Sequence, residues 1–162
     1  MSENLIIDTS LSKKEQYQIL IPQIEALIYG EPNFIANISN IIAALNDTFK
    51  FWWIGVYFSD NEELILGPFQ GPIACTRIKK GKGVCGGSWE KRETLIVSDV
   101  NQFEGHIACS SATRSEIVIP LFDKNNTIIG VLDVDSEHLD NFDETDKIYL
   151  EKISSIIQQI YS

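Results

Sequence analysis

The three cysteines of this chain, Cys75, Cys85 and Cys109, fall inside one stretch rich in glycines and short polar turns. The chemistry expected of them is thiol redox. In order, the stretch reads Ala74-Cys75-Thr76, Gly81-Lys82-Gly83-Val84-Cys85-Gly86-Gly87, Ser98-Asp99-Val100 and Gly105-His106-Ile107-Ala108-Cys109-Ser110. Residues of these types mark loops rather than core elements. A cysteine kept for packing more often sits inside an apolar helix or strand, where it behaves as a small hydrophobe. His106 lies just before Cys109; an imidazolium there would lower a thiol pKa, whereas a neutral ring would anchor the loop backbone, and the anchor is the simpler role. A zinc site made from the cysteines and this histidine is the competing use, but Cys75 and Cys85 lack the tight Cys-x2–4-Cys spacing of such sites.

Carboxylates are the second candidate group. The runs Glu116–Phe122 and Thr127–Asp133 flank the turn Asp123-Lys124-Asn125-Asn126 and read as a hairpin. A four-residue loop would pair Phe122 with Thr127 and set Glu116 opposite Asp133. Side chains alternate along a strand, so Asp135 shares the face of Asp133 if the strand continues. Directly opposed like charges destabilise a sheet. Either this face is wet and the repulsion screened, or the acids line a pocket for a cationic group, with one carboxyl kept protonated by its neighbours. Trp53 and Tyr57 share one face of another strand, with Gly55 between them leaving space above the sheet. They either wall a small ligand site or pack in the core.

Composition bounds what can hold these groups. A length of 162 residues fits one domain, residues 1–162, able to bury about two thirds of its unfolded surface around one core. The net charge of −10 disfavours nucleic-acid binding, which relies on clustered Lys and Arg. The opening MSENLIIDTS lacks the basic start and apolar run of a signal peptide, and no apolar stretch reaches membrane-spanning length. A cytosolic location is therefore expected, and in that reducing compartment three thiols argue for transient catalytic or sensing pairing over a permanent disulfide framework.

The positioning elements follow from periodicity. Ser12 to Glu15 has the form of a capping box, and Tyr17, Leu20, Ile21, Ile24, Leu27 and Ile28 recur at helical spacing; Pro22 should bend that helix or delay its start. A second helix begins near Pro32. Strands are expected at Phe51–Phe58 and Glu63–Leu66 around the turn Ser59–Glu62, then a loop over Gly67–Pro72 and a short strand around Cys75. A brief helix over Val84–Trp89 would put Cys85 near its N-terminus, where the helix dipole favours thiolate. Thr94–Val97 is a strand, residues 98–114 form a long loop of the kind that is usually functional, and a helix from Asp143 closes the chain. The sum is an α+β domain, one antiparallel sheet with helices packed on it.

The segments WWIGVYF, LILGPFQGPIACTRI, GKGVCGG, DVNQFEGHIACSSATRSEIVIP and GVLDVDS together resemble the free methionine-(R)-sulfoxide reductases, which are built on a GAF domain. The likeness runs along nearly the whole chain, with all three cysteines in the family's places. It implies a GAF-like antiparallel sheet of about six strands with the N-terminal helices and the C-terminal helix on one side. It further implies Cys109 as nucleophile, Cys75 as resolving thiol with Cys85 as the other candidate, and a substrate site at Trp53, Tyr57, Glu116, Asp133 and Asp135. A homodimer is expected on the same ground. Ser110 departs from the Asp that many relatives carry after the catalytic cysteine, removing one negative charge beside it, and Ile73 stands in a variable position.

In that reading the Cys109 thiolate attacks the sulfoxide sulfur while a carboxyl among Glu116, Asp133 and Asp135 protonates the departing oxygen. The resulting sulfenic acid condenses with a second thiol, and thioredoxin reduces the disulfide, with no bound cofactor. The substrate ammonium pairs with the acids and the aromatic wall takes the side chain. The rival class is a GAF module that senses a small molecule or redox state without turnover, because one fold hosts many functions.

Overall fold

The computed structural model describes residues 4–105 and 111–161. Their elements run α1 (Lys13–Ile28), α2 (Phe34–Phe49), β1 (Trp53–Asp60), β2 (Glu63–Gln70), β3 (Arg77–Lys79), α3 (Gly83–Lys91), β4 (Leu95–Val97), a 3₁₀ turn (Val100–Gln102), β5 (Ser115–Phe122), β6 (Ile128–Ser136) and α4 (Glu144–Ile160). The strands form one six-stranded sheet in the order β3-β2-β1-β6-β5-β4, with every neighbouring pair antiparallel. This is the expected α+β architecture.

Local chemistry fixes the helix ends. Ser12 and Glu15 close a capping box on α1, and Asp143 and Asp146 close another on α4. Pro22 stands inside α1 and does not delay its start, because the cap sets the first turn and Tyr17, Leu20, Ile24 and Ile28 are buried on both sides of it. Asn33 caps α2 by accepting from the Ala36 N–H at 2.9 Å, so that helix begins just after Pro32.

Several strand boundaries differ from the sequence reading: β1 runs Trp53–Asp60 instead of Phe51–Phe58, and Asp60 pairs with Glu63, so the expected turn Ser59–Glu62 shrinks to Asn61 and Glu62. β2 continues through Gly67-Pro68-Phe69-Gln70, where Gly55 pairs with Phe69 and Ile54 with Gln70. Pro68 falls at the register shift between Gly55 and Tyr57, a place where a missing ladder donor costs little. β3 lies beyond Cys75 instead of around it, and β6 runs on to Ser136.

The two sheet faces carry different loads. Ile54, Val56, Ile117, Ile119, Leu132 and Val134 pack into one large core with α1, α2 and α4. The N-terminal and C-terminal helices therefore cover the same side, as expected. A buried tie reinforces that layer: the Tyr17 hydroxyl donates to Asp146 Oδ1 at 3.0 Å and Lys13 Nζ lies 2.6 Å from Asp146 Oδ2. The opposite face carries Trp53, Tyr57, Val118 and Val131, covered by α3 and the loops around it. Among the described residues no helix is long and apolar enough to cross a membrane.

β6 lies so close to β1 that a Cβ on Gly130 would collide with the Tyr57 carbonyl oxygen and crowd the Phe58 backbone. Gly130 thus sets the spacing of the two central strands. Gly130→Ala should destabilise the protein by about 1–3 kcal/mol, the usual range for overpacking. Urea unfolding measures this, and an unchanged midpoint would show that the strands can separate freely.

Candidate active site

The central strands β1, β6 and β5 lie side by side, and their register builds rows across the second face. Trp53 pairs with Asp135, which pairs with Glu116; Gly55 pairs with Asp133, which pairs with Val118; Tyr57 pairs with Val131. Residues directly opposed in a ladder share a face. All three acids therefore stand on the same side as the two aromatic rings.

This register corrects the expected pairing of Glu116 with Asp133. Phe122 faces Ile128 across a shift between Leu121 and Phe122. The cause is in the turn, where the Asp123 carboxylate accepts from both the Asn125 and Thr127 N–H groups at 2.8 Å and draws Thr127 out of the ladder. From Leu121 back along β5 the pairing is displaced by two residues from the expected one, which preserves the face because the side-chain period is two. Glu116 and Asp133 become diagonal neighbours, still within reach of each other.

Cys85 completes the cluster from α3. Its Sγ lies 3.8 Å from Glu116 Oε1, and the Cys85 sulfur and one carboxylate oxygen each of Glu116 and Asp133 all lie within 4.8 Å of one another. Asp135 is half-buried beside them, whereas Glu116 and Asp133 are 7% and 6% exposed.

Burial dominates the electrostatics. Lost hydration pushes the Glu116 carboxyl well above the usual carboxylate range, and the charges of Asp133 and Asp135 push it the same way. Asp135 is raised by burial first and by Asp133 second, against a hydrogen bond with Thr113 that lowers it. Burial raises Asp133 too, but only to about 6, because the Cys85 thiol and the Glu116 carboxyl face it as hydrogen-bond donors. Burial and mutual charge thus push all three carboxyls toward the protonated form, Asp133 the least. The Asp133 Oδ1 is buried with no hydrogen-bond partner among the described residues. A buried, unpaired carboxylate oxygen is costly and calls for a cation.

Cys85 departs from expectation. It lies in the first turn of α3, yet burial first and the charges of Asp133 and Glu116 next raise its thiol well above the ordinary value. Desolvation beside carboxylates outweighs the helix dipole, and the sulfur stays a neutral thiol. It is free and buried, whereas Cys75 is disulfide-bonded and partly buried. Cys109, His106 and Ser110 lie outside the described residues.

The aromatic pair does more than pack. Trp53 Nε1 donates to the Pro72 carbonyl at 3.0 Å and the Tyr57 hydroxyl donates to the Cys75 carbonyl at 3.0 Å. The rings thereby moor the loop that carries Cys75. Trp53 stacks on Tyr57 at 5.9 Å between centroids and on Phe69 at 5.4 Å. The space above Gly55 is not open, as the sequence reading expects; a Cβ there would collide with the Trp53 indole and with Phe69. The indole lies across the glycine.

The resulting pocket is lined by Trp53, Tyr57, Cys85, Glu116, Asp133 and Asp135, together with Trp52, Lys82 and Thr113, which sequence reasoning missed. Lys82 precedes α3 in the Gly-Lys-Gly run, a signal that is legible only once α3 is placed against the sheet. Thr113 sits in a loop, where no periodicity marks it.

Residues 34–160 match the family model of the GAF domain. The chain is 58% identical over 158 residues to GAF domain-containing protein A of Dictyostelium discoideum, covering 97% of this chain and 99% of that relative. It is 38% identical over 166 residues to the free methionine-R-sulfoxide reductase of Saccharomyces cerevisiae, covering 98% and 92% respectively. Its structure is similar to that of the Neisseria meningitidis free methionine-R-sulfoxide reductase in complex with its substrate, with a TM-score of 0.92 at 47% identity over 97% of this chain and 95% of that one.

The raised Asp133 value makes stability depend on pH. Its folded pKa of about 6 exceeds the ordinary 3.8, so the native state binds more protons in that window and stability falls as pH rises through it. Asp133→Asn should therefore stabilise the protein by roughly 2–3 kcal/mol at neutral pH and by little near pH 4. Urea unfolding at the two pH values checks this, and an equal effect at both would contradict the assignment.

Proposed function

The chain belongs to the GAF-domain family and, within it, to the free methionine-R-sulfoxide reductases, and from that premise we propose that it reduces free L-methionine-(R)-sulfoxide with Cys109 as nucleophile. The observation that carries this reading is the unpartnered Asp133 Oδ1, buried in an aromatic-walled pocket whose Tyr57 is hydrogen-bonded to the backbone of Cys75.

Asp133 offers its bare oxygen to the substrate ammonium. A free amino acid brings a carboxylate as well, and the pocket has a place for it beside Lys82 and the start of α3, where the Gly83 N–H is taken by the Gly105 carbonyl and the helix dipole and the Lys82 ammonium favour an anion. Trp53 and Tyr57 flank the thioether side chain. Methionine sulfoxide inside a peptide has an uncharged backbone nitrogen, leaves the Asp133 anion buried and unpaired, and is rejected on that account.

The Cys109 thiolate attacks the sulfoxide sulfur. Glu116, neutral because it is buried beside other acids, gives its proton to the departing oxygen, which then leaves the substrate for the Cys109 sulfur. Methionine and a Cys109 sulfenic acid result. The Cys75 thiol displaces water from the sulfenic acid to form a disulfide, and thioredoxin restores both thiols by exchange. Support for Cys75 as the resolving thiol is its disulfide-bonded state and the neutral, buried state of Cys85. No step needs a cofactor.

Cys109→Ser should abolish turnover of the free R-sulfoxide, and Cys75→Ser should yield about one methionine per chain and then stall with thioredoxin. Single-turnover and steady-state assays separate the two outcomes. Continued thioredoxin-driven turnover in Cys75→Ser would assign the resolving role to Cys85. Glu116→Gln should lower kcat by about 10²–10⁴-fold, the usual contribution of a general acid.

A further inference from the structure

We propose that Cys85, Glu116 and Asp133 form a reversible binding site for Zn2+, and that the ion and the substrate ammonium compete for it; the second half rests on the substrate placement above. Cys85 comes from α3, Glu116 from β5 and Asp133 from β6, so each donor is carried by a regular element and not by a loop. One sulfur and two carboxylate oxygens lie within 4.8 Å of one another. The Cys85 Sγ to Glu116 Oε1 separation is 3.8 Å; ordinary Zn–S and Zn–O bond lengths set the edge of a tetrahedral site at roughly 3.5 Å, so a small inward shift suffices.

A second observation points to a cation independently of this spacing. Asp133 is 6% exposed and lines the pocket, and its Oδ1 has no partner among the described residues. An ammonium satisfies that oxygen by hydrogen bonds, and a divalent ion does so by coordination. The donor set selects among ions. A thiolate favours borderline or soft metals over Mg2+ and Ca2+, which prefer all-oxygen sites with more ligands. Three protein ligands leave the fourth tetrahedral position open to the cavity, so the ion binds as a removable occupant. On binding, the Cys85 and Glu116 protons pass to solvent.

The test uses the oxidised protein without reductant, in which Cys75 is disulfide-bonded and Cys85 is a free thiol. Titration with Cd2+ alone, as the spectroscopic analogue of Zn2+, should give a thiolate-to-metal charge-transfer band that saturates at one ion per chain. Zn2+ should displace the Cd2+. Cys85→Ser should remove the band, and Asp133→Asn should weaken binding by at least about tenfold. Should Cys85→Ser fail to fold, Glu116→Gln must still weaken the band. Excess free methionine sulfoxide should lower the apparent Cd2+ affinity. Absence of the band from the oxidised wild-type protein, or its persistence unchanged in Cys85→Ser, overturns the metal site. A Cys85-dependent band indifferent to methionine sulfoxide supports the metal site and counts against the substrate placement alone.

Discussion

Removing several carboxyl groups and a thiol from water on one sheet face is the constraint on which the rest of this structure depends. Glu116, Asp133 and Asp135 cannot all ionise side by side in a desolvated pocket. Burial and neighbouring charge push the Glu116 carboxyl and the Cys85 thiol well up and Asp133 only to about 6, so Asp133 gives up its proton most readily. That difference supplies both a cation acceptor and a proton donor within a few ångströms. Two identical environments would supply neither pairing.

Such a face works against folding, and the opposite face compensates. The helical side buries a continuous set of aliphatic and aromatic side chains from α1, α2, α4 and the central strands, at about 25 cal/mol per Å² of apolar surface removed from water. Strands shared between the two faces carry both loads through alternation: Ile54, Ile117, Leu132 and Val134 point into the core while Trp53, Glu116, Asp133 and Asp135 point the other way. The pocket side is closed by one short helix and by loops, one of which is held by hydrogen bonds from Trp53 and Tyr57. Stability and chemistry are thus segregated by the pleat of one sheet.

The cysteines illustrate how environment sorts identical side chains. Cys85 sits in the first turn of a helix, a position that alone favours thiolate, yet full burial beside acids reverses the outcome. Cys75 lies in a loop, its carbonyl held by the Tyr57 hydroxyl, and is disulfide-bonded. One side chain is a buried free thiol beside acids and the other a partly buried disulfide sulfur.

Periodicity and turn residues by themselves determined the helices and strands, the common face of Trp53 and Tyr57 on one strand, and the common face of Glu116, Asp133 and Asp135 on the last hairpin, because alternation along a strand is a local property. The gathering of those five residues in one pocket was implied by the family resemblance, and the pairing of β1 with β6 brings it about. Other features were decided only by tertiary structure. The Glu116–Asp135 pairing depended on how Asp123 folds the turn, and the face survived because an error of two residues leaves side-chain parity intact. The state of Cys85 depended on the two strands brought beneath α3, and the recruitment of Lys82 and Thr113 on how loops close over the sheet. Long-range charge and burial have no periodic signature, so a linear sequence carries the groups but not the field each one feels.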